Sequence, residues 1–374
     1  MDFLARLHQD SIVCDLHADS LQWVAAGGSL GGHAGHLDLP RARAGGLDLQ
    51  FFSVWVDVTY LPTDGEPDRS FARACEILDA FERETTRHTD AMAPVTSASD
   101  SRRIVAEGKL AAALGVEGGH AIESDLDKLE ELYRRGVRYL TLTWNNSTDW
   151  AQAAKVEHQR GSPQGGLSPL GEAVVRRMNH LGMIVDLSHA AESTFWDVLR
   201  VSEAPVMASH SNAFALSPHY RNLKDEQIKA LTERGGIIGI NFYSSFLDAD
   251  YARRREEAEE RRRAELEALE REMPYDYPAR AARERELLQA EMGHVPVPAT
   301  RVADHIEYIA RLVGPDHVAL GSDFDGTNAV PDDIPDVSHL PIVTRLLHER
   351  GFSESDIRKI LGGNVLRFFE TVCG

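Results

Sequence analysis

The sequence predicts an α/β protein, a (β/α)8 TIM-like barrel with a charged helical insertion between its seventh and eighth strands. Three observations predict it. Eight short apolar stretches recur along the chain, most of them separated by helical segments, as in a parallel sheet covered by helices. Several of these stretches stop at an Asp, Glu or His, and a closed barrel gathers all such strand ends onto one rim. The 374 residues are enough for two domains or one large α/β barrel, and the 43% apolar fraction suffices for a substantial core. A doubly wound open sheet is the architectural rival, but it leaves the separated polar endings less convergent.

The elements follow in order. Residues 12–16 form the first strand, and the glycine-rich run from Gly27 to Gly35 is a loop. That loop lacks the Lys-Ser/Thr ending of a phosphate-binding loop, so it predicts no nucleotide site. Residues 47–56 are aromatic and β-branched enough for the second strand. Phe71, Ala74, Ile77, Leu78 and Phe81 recur at helical steps across Ser70 to Arg87. The third strand, 110–116, stops at Glu117; the fourth, 137–143, follows a helix at 125–135 and runs into Trp144. Ser168-Pro169 reads as a helix cap with proline at the first helical position. The fifth strand, 183–187, stops at Ser188-His189, and the sixth, 205–208, at Ser209-His210. Helices at 191–201 and 224–234 lead onward, and Tyr243 lies just beyond the seventh strand, 236–242. After a helix at 302–313, the eighth strand, 317–321, ends at Ser322-Asp323-Phe324-Asp325-Gly326. Residues 1–374 read as a single barrel with 338–374 as C-terminal helices, near 338–349 and 354–371.

One stretch interrupts this rhythm. From Tyr251 to Met273 the chain is crowded with Arg and Glu, and Pro274 and Pro278 break it before a second charged segment at 279–293. Leu266, Leu269 and Met273 supply only a thin apolar stripe, while opposite charges three or four residues apart support a solvated helix. The insertion, 248–299, reads as a lid or surface brace, with a partner-binding coiled coil as the less ordinary alternative.

The formal charge of -19 argues against a broad grip on nucleic acid or an anionic membrane. A local Arg can still make a pocket for an anionic small substrate. Cys14, Cys75 and Cys373 are too few and too scattered for a disulfide framework, and fit a reducing compartment. The segment from Met1 to Leu7 has no basic region followed by an apolar core, and no run approaches a membrane span. A cytoplasmic protein is expected.

The chemistry begins at His17 and Asp19. Residues two apart in an extended segment face the same way, so this pair offers an imidazole nitrogen and a carboxylate oxygen to one point, half of a zinc site. Glu117, His189, His210 and Asp323 each stand at or just past another strand end. Singly, each has an ordinary structural explanation: a solvated acid, a helix cap, a histidine packed beside Ser209, a turn cap. Their shared position favours a metal. The surplus over three ligands suggests two ions bridged by Glu117, with His17 and Asp19 on one and His189 and His210 on the other. No Ser or Cys nucleophile is convincingly placed, and no His-Glu-x-x-His helix occurs.

A family resemblance rests on His17-Ala18-Asp19, Gly115-Val116-Glu117-Gly118, Tyr139-Leu140-Thr141-Leu142-Thr143 and Leu167-Ser168-Pro169-Leu170-Gly171. It continues through Asp186-Leu187-Ser188-His189, Ser209-His210-Ser211, Arg221-Asn222 and residues 321–326. In these pieces, which span about 12 to 370 in family order, the chain resembles the membrane (renal) dipeptidases, the M19 peptidases among the amidohydrolase-like metal-dependent barrels. The resemblance implies a binuclear zinc dipeptidase holding two Zn2+, with Glu117 common to both and a hydroxide shared between them. It makes Asp323 the proton-transfer residue, Arg221 the receiver of the substrate carboxylate and Tyr243 a pocket residue. A hydrophobic N-terminal side chain and a small or D-configured C-terminal residue are tolerated by some relatives, and a homodimer is an expectation of the same kind.

Trp144 departs from the family pattern. The dipeptidases carry there a histidine that stabilises the tetrahedral intermediate, whereas an indole offers one N–H and no acid-base chemistry. Losing an oxyanion donor costs on the order of 3–4 kcal/mol unless the metals, Asn145, Asn146 or His158 compensate. Trp144 also suits an apolar acyl pocket, which makes hydrolysis of N-acyl amino acids, a lactone or another small amide the second reading. A non-catalytic barrel holding metal for structure is the third. The ligand set itself accommodates manganese or cobalt as well as zinc.

Overall fold

The structure, a computed structural model, describes residues 3–63, 65–163 and 165–374; Met1 and Asp2, part of the segment in which no signal is read, lie outside the described residues. Among the described residues nine strands form: β1 (Cys14–Ala18), β2 (Leu49–Trp55), β3 (Met92–Pro94), β4 (Leu110–Glu117) and β5 (Val137–Thr141), then β6 (Ile184–Asp186), β7 (Met207–Ala208), β8 (Ile237–Ile240) and β9 (Val318–Leu320). Every pairing between them is parallel. Because β1 joins β2 to β9 and β2 also pairs with β4, eight strands close into a ring, and the open-sheet alternative falls.

The ninth strand corrects the sequence reading. β3 pairs with Leu110, Ala111 and Ala112, on the edge of β4 that β5 occupies from Leu114 upward. Three residues ending in proline are too short to show an alternation, so nothing local announces it.

Alternation places the core. Leu49 and Phe51 of β2 and Ala111 and Ala113 of β4 pack inside the barrel, while Phe52, Val54, Ala112, Leu114 and Val116 face the outer helices. Phe52 meets Phe81 of the helix Ser70–Arg87, with ring centroids 6.2 Å apart. The segment expected as one helix over 354–371 is broken into Glu354–Arg358, a π-helical turn over Lys359–Gly363, and Asn364–Cys373. The break lets Gly362 approach the start of β1, where its carbonyl receives Cys14 Sγ at 3.8 Å. Val365, Leu366, Phe368 and Phe369 then plug the N-terminal end of the barrel, Phe369 edge-on to Phe51 at 5.2 Å.

Between β8 and β9 the chain passes through helices Ala249–Arg261, Arg263–Glu272 and Tyr277–Met292. Most of their charges pair within a helix, as Arg253 does with Asp250 and Glu257. Arg261 and Arg262 both reach Glu291, tying the first helix of the three to the last. The tie to the barrel is buried: Arg280 Nη2 lies 2.6 Å from Asp57 Oδ2, just past β2.

Candidate metal centre

The centre is assembled by strand ends, with one irregularity. Cys14 and Leu16 both face the barrel interior, so strict alternation would turn His17 outward. The register of β1 against β2 shifts between Asp15 and Ala18, and the His17 ring lies inside, its Nδ1 2.8 Å from the hydroxyl of inward-facing Tyr139. Asp19, two residues on, shares that inner face as the sequence predicts: its Oδ2 is 3.6 Å from His17 Nε2. Glu117 continues the inward series of Ala111 and Ala113. Its Oε2 is 3.4 Å from His17 Nε2, and its Oε1 is 2.9 Å from His189 Nε2 and 3.6 Å from His210 Nε2. Asp323 Oδ1 stands 4.0 Å from His17 Nε2. Thus the six groups named from the sequence meet at one end of the barrel, with Glu117 in the middle.

Buried neighbours hold them there. Gly115 pairs in register with Tyr139, and any Cβ at 115 would strike the Tyr139 ring that reaches across to His17. The Ser209 hydroxyl donates to Asp186 Oδ2 at 2.7 Å and therefore accepts from His210 Nδ1, also at 2.7 Å, which leaves the His210 Nε2 lone pair facing Glu117. Asn241 Nδ2 donates to Asp323 Oδ2 at 3.0 Å and leaves Oδ1 toward His17. His189, Asp323 and Asp325 take left-handed backbone angles, φ 66°, 62° and 66°, uncommon for residues with side chains. Gly326 follows because a Cβ there would meet both Asp19 Oδ2 and Asp323 Oδ1. Asp325 orients the loop: its carboxylate accepts from Ser20 Oγ, the His36 N–H and the Leu37 N–H.

Charge and burial here ask for a cation. Burial alone would lower the His17 imidazole, but Tyr139, Glu117 and Asp19 outweigh it and lift it well above its ordinary value. Burial alone would raise Glu117, and His17 and His189 hold it well below the carboxylate range instead. Burial pushes Asp323 up to about 7, opposed by His17 and reinforced by Asp19 and Glu117. Desolvation, with Arg221 nearby, takes His189 down to about 4, and desolvation with His17 and Arg221 lowers His210 well below its usual value. Neutral imidazoles are the ligating form. His17 Nε2, Asp19 Oδ1 and His210 Nε2 are buried with no hydrogen-bond partner among the described residues. Two groups, His17 with Glu117 and His210 and His17 with Asp19 and Asp323, gather ligand atoms within 4.8 Å of one another. Unsatisfied buried nitrogens and oxygens of this type fit divalent metal.

The remaining predicted residues ring this centre. Arg221 is only 4% exposed; its Nη2 donates to the His210 carbonyl at 3.4 Å, its Nε has no partner among the described residues, and its guanidinium lies 5.3 Å from the Phe246 ring centre. Among the described residues no carboxylate comes within ion-pair distance of it. Tyr243 packs edge-on against that same Phe246 ring at 4.7 Å, while Arg255 lies over its own ring. Trp144 is half-buried, 5.0 Å from Trp55 and 6.5 Å from His189. Of the polar residues named beside it, Asn146 Nδ2 lies 3.5 Å from His120 Nδ1 and His158 stacks on Tyr220 at 4.9 Å. Sequence reasoning missed Tyr139, Asn241, Trp55 and Tyr277. Tyr139 sat inside a quoted motif and Asn241 at a strand end, but Trp55 and Tyr277 carried no local signal. A cavity of about 750 Å3 lies beside the centre, lined by Tyr277 and Asp325 and by none of the six converging groups.

Comparison with known proteins points one way. The sequence model of the membrane dipeptidases, peptidase family M19, matches residues 1–373. The Dipeptidase aclJ of Aspergillus oryzae is 34% identical over 339 residues, 89% of this chain and 69% of the relative. The probable dipeptidase PvdM of Pseudomonas aeruginosa superposes with a TM-score of 0.81 at 26% identity, covering 99% of this chain and 97% of the other. A metallopeptidase of Rhodobacter sphaeroides, solved with a phosphinate mimic of the dipeptide L-Ala-D-Ala, gives 0.77 at 26% identity, with 97% and 100% covered. Among the described residues no helix is long and apolar enough to cross a membrane.

Proposed function

This chain belongs to the membrane dipeptidase family, peptidase family M19, a family of metal-dependent peptidases, and from that premise we propose that it is a binuclear zinc enzyme cleaving dipeptides with a free C-terminal carboxylate. The observation that carries the reading is Arg221. A guanidinium buried beside the imidazole-carboxylate cluster without an anionic partner is costly to maintain, and a substrate carboxylate answers it with two parallel hydrogen bonds.

His17, Asp19 and Glu117 would hold one Zn2+, and Glu117, His189 and His210 the other. When bound, such ions supply Lewis acidity, polarising the scissile carbonyl and making water acidic enough to attack at neutral pH. The chain's own residues supply the rest. Tyr139 and Ser209 keep the Nε2 atoms of His17 and His210 turned to the centre. Arg221 anchors the substrate at one end and so fixes the peptide bond over Glu117. Asp323, oriented by Asn241, takes a proton on Oδ1 from the attacking water and returns it to the departing amine. A D-configured C-terminal residue is part of the proposal, supported by the L-Ala-D-Ala mimic held by the Rhodobacter relative.

The test is a stereochemically complete dipeptide panel with C-amidated and N-acetylated counterparts, run with metal analysis on the same preparation. Two zinc ions per chain, turnover of free dipeptides and loss of turnover on C-amidation are expected. Preferential cleavage of N-acetyl amino acids would overturn the dipeptidase reading in favour of an acylase, and no turnover on any member would remove both.

A further inference from the structure

We propose that Trp55, Trp144 and Tyr277 form a specificity wall that selects an aromatic or large apolar side chain on the N-terminal residue of the dipeptide. The inference rests on the dipeptidase reading and deepens it. Trp55 is the last residue of β2 and pairs in register with Glu117, so its ring stands beside the central carboxylate. It is 3% exposed, and its indole N–H is buried without a partner among the described residues. Trp144, past the end of β5, meets it edge-on at 5.0 Å. On the other side Tyr277 meets it at 4.6 Å, contributed not by the barrel but by the inserted helix Tyr277–Met292.

Two contacts fix the third ring. The Tyr277 hydroxyl donates to the Gly326 carbonyl at 3.1 Å, beside the loop that carries Asp323. Arg280, on the same helix, makes the buried pair with Asp57 just past β2. Removing the Tyr277 ring would therefore open the wall onto the 750 Å3 cavity that the same residue lines.

The direction of binding follows from the ring of strands. Going round the barrel, β2 stands four places from β7, whose following loop carries Arg221. A dipeptide held by its carboxylate at Arg221 and crossing Glu117 brings its N-terminal side chain to the far side of the mouth, against the three rings. Trp144 and Tyr277 are half-buried, so apolar surface remains for a substrate to cover. Aromatic rings offer edge and face contacts that an alanine methyl cannot use.

The experiment compares kcat/KM for Phe-Gly and Ala-Gly in the zinc-loaded protein and in Tyr277→Ala, Tyr277→Phe and Trp144→Ala, with calorimetric binding of both dipeptides to Asp323→Asn. The wild type is expected to favour Phe-Gly by about tenfold or more. Tyr277→Ala should bring the ratio toward one, mainly through KM for Phe-Gly, while Tyr277→Phe keeps it. Should Tyr277→Ala fail to fold, Trp144→Ala reads the same wall from the barrel side. A wild-type ratio near one, or a ratio unmoved in folded, metal-replete variants, overturns the proposal and leaves the dipeptidase reading standing. Tighter binding of Phe-Gly to Asp323→Asn, lost on adding Tyr277→Ala, with no dipeptide hydrolysed by the wild type, would retain the wall and reject the hydrolysis.

Discussion

The two ends of the barrel hold carboxylates in opposite company. At the C-terminal mouth Glu117 sits among three imidazoles, and His17 and His189 hold it deprotonated against the pull of burial. At the N-terminal end Asp48 accepts one backbone N–H, from Val13 at 2.9 Å, and no cation of the described residues pairs with it. Burial pushes that carboxyl up to about 6. Desolvation acts at both ends, more completely on buried Glu117 than on half-buried Asp48; among the described residues the mouth alone of the two supplies positive and metal-seeking partners. The contrast teaches that charge at the mouth is arranged for a ligand and at the base is merely tolerated.

Glu117→Gln attacks the contrast where it is sharpest. It should lower kcat/KM by about 1,000-fold or more and bring bound metal below two ions per chain, read by steady-state kinetics and elemental analysis. Asp323→Asn separates proton transfer from metal holding: a fall of about 10^2–10^4-fold in kcat, with metal content unchanged, is expected. Loss of metal along with activity would instead count Asp323 among the ligands, as its grouping with His17 and Asp19 allows.

Arg221→Met should cost about 10–100-fold in kcat/KM through KM, and should abolish the discrimination between free and C-amidated dipeptides. Since the guanidinium is buried without an anion, the substrate-free variant should melt no lower than the wild type. A lower melting temperature would give Arg221 a structural role instead. Asp48→Asn has the smallest effect and probes the other end. With a folded value near 6 against about 3.9 unfolded, the folded chain binds more protons between those limits, so Asp48's contribution to stability falls as pH rises through that window. The variant should exceed the wild type by on the order of 2 kcal/mol at pH 7 and by little below pH 4, measured by urea unfolding. Equal stability at both pH values would show the contrast between the ends to be overstated.

Much of the mouth was legible because its signal is local. His17, Asp19, Glu117, His189, His210 and Asp323 each close a short apolar run, and a parallel barrel carries all such ends to one rim. Arg221 was different: only the family resemblance distinguished it from a surface arginine. The short β3 and the break at 359–363 escaped notice because three residues and a single π-turn lie below the length at which periodicity speaks.

By itself, the sequence determined the class of fold, the stretches that become the eight ring strands and the chemical type of group at several of their ends, since apolar period and strand termini are short-range properties. The tertiary structure alone decided how those groups are aimed. Tyr139 steadies His17 across 122 residues, Asn241 steadies Asp323 across 82, and Arg280 reaches Asp57 across 223 to bring Tyr277 to the mouth. Even His17 points inward only because β1 slips register against its neighbour, a choice made by the packing of two strands together. Such contacts depend on ring closure and on which surfaces meet, and no window along the chain contains both partners.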